Sequence, residues 1–80
     1  MLIQCEKKLI HKGYVPTNEK DKLLSFHKKG QPFKEFNVVK IINNKYKVSF
    51  PIGDDQYTTT IKEKNDMVNY VQYILREHII

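Results

Sequence analysis

One cysteine, three glycines and three prolines in 80 residues exclude several classes of protein at once. A lone Cys5 makes no internal disulfide and no cysteine metal cluster, so a secreted disulfide scaffold is ruled out and a reducing, intracellular setting (cytoplasmic or nuclear) is expected. Gly13, Gly30 and Gly53 stand apart from one another, which leaves no glycine-rich phosphate loop. No apolar run approaches the roughly 20 residues of a membrane span. The opening stretch, Met1 to Lys8, also lacks the basic-then-apolar order of a signal peptide, so no membrane partner is expected. His11, His27 and His78 are far apart with no ligand spacing, and neither a metal nor another cofactor is expected.

What is present is a small basic chain with a normal hydrophobic content of 40% and a net charge of +5. This is enough apolar material for one folded domain and too much for intrinsic disorder. The charge is unevenly spread. Residues 1–50 carry eleven lysines against Glu6, Glu19, Asp21 and Glu35, a balance of +7, whereas residues 51–80 stand at −2. A basic face attracts phosphate backbones. The abundance of Lys, Asn and Ile has a compositional explanation as well, in an AT-rich genome.

Leu2, Cys5 and Leu9, with Ile3 and Ile10 beside them, form a helical stripe that Gly13 closes. Tyr14 to Asn18 is a break. A second helix is expected from there to Lys29, with Thr17 or Asn18 as cap, Glu19 and Asp21 at the positive end of its dipole, Leu23, Leu24 and Phe26 inside, and Gly30 as its stop. Three strands follow: Lys34 to Ile42, Lys45 to Ile52 and Gln56 to Lys62. In the second, Tyr46, Val48 and Phe50 alternate with polar residues, the pattern of a half-buried antiparallel strand. Asn43-Asn44 suits the turn between the first two, because Asn tolerates positive φ. Met67, Val71, Ile74, Leu75 and His78 follow helical spacing to the end, with Asn65 or Asp66 as cap. The expected fold is α+β: an α-β-β-β-α domain over residues 18–80 with a three-stranded antiparallel sheet, preceded by an amphipathic helix and linker over residues 1–17.

Catalytic chemistry finds little footing. Cys5 with His11 or His27 as base lacks a third group, and its place on the apolar stripe makes it a buried structural thiol. Asp54 and Asp55 after Gly53 are ordinary turn residues. A non-enzymatic function is expected.

Three stretches carry a family likeness. Lys28-Lys29-Gly30-Gln31-Pro32-Phe33-Lys34-Glu35-Phe36, Lys45 to Gly53, and Tyr57 to Lys64 resemble, in order and spacing, successive parts of the double-stranded-RNA-binding domain. The resemblance covers about three quarters of the chain. It implies recognition of A-form duplex by shape and phosphate contacts, with a first-helix site at Lys22, Ser25, Lys28 and Lys29, a loop site at Asn43 and Asn44, and a phosphate grip at Lys62 and Lys64. The departures are specific. Ser25 stands near the family's glutamate, Asn43-Asn44 is shorter than the family's loop, and the family's lysine cluster is reduced to Lys64.

Two rival readings remain. A degenerate copy of the fold would serve as a protein-interaction or dimerisation module, contacting a protein partner or a second copy through Tyr70, Tyr73 and Ile79. Alternatively, the chain is a small viral or phage inhibitor of a host protein with an unrelated fold.

Overall fold

The computed structural model describes residues 2–17 and 19–78; Asn18, one of the two expected caps, and Ile79, one of the expected interaction residues, lie outside them. Helix α1 (Ile3–His11) leads into five strands, β1 (Tyr14–Pro16), β2 (Leu24–Lys28), β3 (Gln31–Ile41), β4 (Lys45–Ile52) and β5 (Asp55–Ile61), and α2 (Lys64–Glu77) closes the described chain. The α+β class therefore holds. The sheet, however, has five strands rather than three, arranged as an antiparallel meander in the order β1-β2-β3-β4-β5. The α-β-β-β-α layout gives way to one helix, five strands and one helix.

The difference lies in residues 19–29. The expected second helix is a strand. Leu24 and Phe26 are buried while Ser25 and His27 alternate with them on the other face, so the segment follows period two rather than 3.6. Lys29 and Gly30 make a tight turn between the paired Lys28 and Gln31, with Gly30 at φ +79°. The register then shifts, and residues 32–34 form a bulge on β3 that leaves Phe33 exposed. Glu19 and Asp21 sit in the β1–β2 loop instead of at a helix start.

Tertiary pairing explains why a strand wins here. The β3–β4 ladder stops at Asn37↔Ser49, because the next residue of β4 facing β3 is Pro51, which has no N–H to donate. The Glu35 backbone, which faces β4, thus lacks a ladder partner there, while Phe36 and Val38 face the other way and pair with Phe26 and Leu24 of β2. Proline inside a non-edge strand is unusual, and Gln56 on β5 compensates for it. Gln56 pairs with Pro51, and its carboxamide reaches across to β3. There Nε2 donates to the Glu35 carbonyl at 2.6 Å and Oε1 accepts from the Glu35 N–H at 3.5 Å. One side chain stands in for the missing ladder pair.

Both helices pack on one face of the sheet, α1 against β1 and α2, and α2 against β4 and β5. Cys5 and Leu9 of α1, Tyr14, Leu24, Phe26, Phe36, Val38, Tyr46, Val48 and Phe50 from the strands, and Met67, Val68, Val71, Ile74 and Leu75 of α2 form a single buried cluster. The N-terminal helix is thereby continuous with the core. Helix α2 begins under Glu63, whose side chain makes no capping bond, rather than under Asn65 or Asp66. His78, expected on the stripe, is the C-cap.

Candidate nucleic-acid interface

The antiparallel meander gives the sheet two ends of different character. One end gathers the β1–β2 loop, the β3–β4 turn and the β5–α2 junction; the other gathers the β2–β3 and β4–β5 turns. At the first end β3 and β4 pair out to Ile41↔Lys45 and close through a single 3-10 turn, Ile42–Asn44. Asn43 (φ 68°) and Asn44 (φ 58°) are both left-handed, a conformation in which the short polar asparagine side chain is tolerated. This is the positive-φ turn expected from the Asn43-Asn44 pair.

Register assembles the lysines around this tip. Lys40 pairs with Tyr46, Val39 with Lys47, Lys47 in turn with Thr60, and Tyr46 with Ile61. Lys62, the residue after Ile61, therefore arrives beside Lys45, and Lys64 opens α2 directly behind it. Asn43, Asn44, Lys62 and Lys64 are thus brought to one end of the molecule together with Lys40, Lys45 and Lys47. All of these except Lys45, which is half-buried, are exposed. Glu63 and Asp66 beside these lysines, and Glu19 and Asp21 in the β1–β2 loop, are the acids at this end; with Lys20 and Lys22 of that loop the lysines outnumber them, so the end is net basic. The pairing of β3, β4 and β5 is what joins the three lysines absent from the sequence-based site to it. The alternation in Lys45 to Phe50 already signalled the outward direction of Lys45 and Lys47.

The remaining expected residues are dispersed. Lys28 and Lys29 lie at the opposite end, by the β2–β3 turn. The Lys28 ammonium stands 5.2 Å from the centre of the Tyr14 ring, and the Lys29 N–H donates to the Gly13 carbonyl. Lys22 is at the same end as the Asn43-Asn44 turn but in the β1–β2 loop, 2.6 Å from the Glu19 carboxylate, whose hydrogen bond pushes the Lys22 pKa up and ties its charge to that loop. Ser25 is on the sheet face away from the helices, opposite Asn37. Its hydroxyl is buried without a hydrogen-bond partner among the described residues, as is Asn37 Oδ1. No exposed helix face unites these four residues, because the segment is a loop and a strand.

Tyr70 is half-buried with its ring edge-on to Phe50 at 6.2 Å, and so helps complete the core, whereas Tyr73 is 45% exposed. Burial pushes the Cys5 thiol pKa up despite nearby Lys8. A buried, protonated thiol is a poor nucleophile. A shallow cleft of about 190 Å³ between α1 and the β1–β2 loop holds Glu6, Glu19, Lys22 and Ser25 but no nucleophile and base in register. Among the described residues no group of His, Cys, Asp and Glu is placed to hold a metal ion, and no helix is long and apolar enough to cross a membrane.

No protein-family model, no curated protein and no solved structure matches this chain.

Proposed function

We propose that the chain is a non-catalytic binder of double-stranded RNA that docks through the basic end of its sheet. The observation that carries this reading is the convergence of Lys40, Lys45, Lys47, Lys62 and Lys64 around the Asn43-Asn44 turn. A protruding turn of two asparagines suits the wide minor groove of A-form RNA, where carboxamides donate to and accept from 2′-hydroxyls. The flanking lysines are then at hand for the phosphates on either side, and each phosphate neutralised releases counterions. The likeness to the double-stranded-RNA-binding domain supports the loop and junction contacts. Its first-helix contact has no helix here, so the reading rests on the turn and the β5–α2 junction. An intracellular location accords with the single free thiol of Cys5.

The test is fluorescence anisotropy with a labelled RNA duplex of about 20 base pairs, a matched DNA duplex and single-stranded RNA, at about 50 and 200 mM salt. Duplex RNA is expected to bind most tightly and to weaken with salt. Lys45→Ala with Lys47→Ala should cut affinity and flatten the salt slope by roughly two phosphate contacts, while Lys7→Ala on α1 with Lys12→Ala at its C-cap leaves both unchanged. Equal binding of the three nucleic acids, or an unaltered salt slope in the Lys45/Lys47 variant, would refute the proposal.

A further inference from the structure

Strand β5 closes the sheet, pairing with β4 along one edge; among the described residues no strand lies against its other edge. Natural sheets blunt such edges with proline, a bulge, an inward charge or a very short strand. The opposite edge does so, since β1 is three residues long and ends in Pro16. Gln56 to Ile61 contains no glycine, proline or charge, and its pairing with β4 runs without a register shift. It is an unprotected template.

The phase of the ladder shows which backbone groups that edge offers. Because the Gln56 carboxamide bonds both the N–H and the carbonyl of Glu35, those groups face β4. Alternation along an antiparallel ladder then turns the even residues of β4 toward β5. Their partners Tyr57, Thr59 and Ile61 bond inward, and Gln56, Thr58 and Thr60 present N–H and carbonyl outward.

Charge selects the occupant. The strand is preceded by Asp54, itself begins with Asp55, and is followed by Lys62 and Lys64. A second copy running antiparallel reverses that order, bringing acidic start to basic end twice. A two-fold axis at Thr58 sets Thr58 against Thr58, Gln56 against Thr60 and Asp54 against Lys62. Directly opposed residues share a face, so the helices of both copies stand on the same side of the joined sheet. On that side lies Tyr57, 47% exposed and stacked on Phe50 at 6.1 Å, which supplies apolar area at the seam. An isologous contact of this kind closes at two copies, whereas joining β5 to the short, proline-ended β1 would give an open fibre.

We propose that the chain forms a homodimer through the free edge of β5, antiparallel about Thr58, joining two five-stranded sheets into one. This rests on the strand edge rather than on the nucleic-acid reading, although both draw on Lys62 and Lys64, and it is tested in the absence of nucleic acid. Sedimentation of the full chain at concentrations up to about 100 µM should show a dimer that dissociates on dilution. Asp54→Lys with Asp55→Lys, and separately Lys62→Glu with Lys64→Glu, place like charges at both seams of each homodimer. Each variant alone should dissociate with a constant raised roughly tenfold or more at low salt. An equimolar mixture of the two should regain the dimer, because each altered end then meets its opposite. Thr58→Pro, which removes an outward N–H and leaves the β4 ladder intact, should be monomeric with its circular dichroism unchanged. A wild-type chain that is monomeric throughout, charge variants that dimerise like wild type, or a mixture that stays monomeric would each overturn the proposal.

Discussion

The Gln56 bridge over Pro51 makes a quantitative prediction. Gln56→Ala removes two hydrogen bonds to the Glu35 backbone, one short at 2.6 Å and one at the outer limit of 3.5 Å. A typical intramolecular bond contributes about 0.5–1.5 kcal/mol net, and a stretched one sits at the bottom of that range. Gln56 is exposed, so water replaces part of what is lost. The expected cost is about 1–1.5 kcal/mol, which for a domain of this size lowers Tm by roughly 5–10 °C. Thermal unfolding followed by circular dichroism measures it. The second arm is Pro51→Val. Restoring an N–H at position 51, on a strand edge that faces β3, gives the Glu35 carbonyl a direct partner in β4. In that background Gln56→Ala should cost close to nothing, and the double-mutant cycle should show a coupling of about 1 kcal/mol. Equal costs in both backgrounds would show that Gln56 acts through something other than the gap at Pro51.

Three further predictions concern the core. Leu9→Ala empties a fully buried site in the cluster shared by α1, the sheet and α2, and should cost about 2–5 kcal/mol by urea unfolding; a cost below about 0.5 kcal/mol would mean that α1 is an appendage. Tyr14 is buried with its hydroxyl unpartnered among the described residues, and burial pushes its pKa up. Tyr14→Phe deletes an unsatisfied polar atom and keeps the ring under Lys28, so stability should hold or rise by up to about 1 kcal/mol. The raised pKa values of Cys5 and Tyr14 also fix a sign for alkaline unfolding. Above the ordinary thiol and phenol values the unfolded chain loses protons that the folded chain keeps, so stability is full below pH 9 and falls as pH rises past 9 and then 10. In Tyr14→Phe the decline past pH 10 should be shallower, and an identical decline in both proteins would contradict the assignment.

Local pattern alone determined a good part of this molecule. The stripe Leu2, Cys5 and Leu9 with Gly13 after it sets α1, which runs Ile3–His11 with Gly13 at φ +91°. The alternation of Tyr46, Val48 and Phe50 sets β4 and its buried face, Asn43-Asn44 sets a left-handed turn, and the 3.6-residue spacing from Met67 to Leu75 sets the buried side of α2. In each case a single periodicity or backbone preference points one way, and packing agrees with it. Residues 19–29 were different. Leu23, Leu24 and Phe26 satisfy a helical stripe, while Leu24 and Phe26 also satisfy a strand, and acidic residues ahead of lysines mimic helix-end charges. Only the tertiary structure decided between them. Paired with β3 at Leu24↔Val38 and Phe26↔Phe36, the segment buries Leu24 and Phe26 in the common core and supplies the backbone partners of the β3 residues that face away from β4, which a helix at this place would leave unpaired. The basic end was hidden for a related reason. Lys62 is distant in sequence from Lys40 and Lys45, which flank the β3–β4 turn, and becomes their neighbour through the β4–β5 register, a pairing that no local window contains.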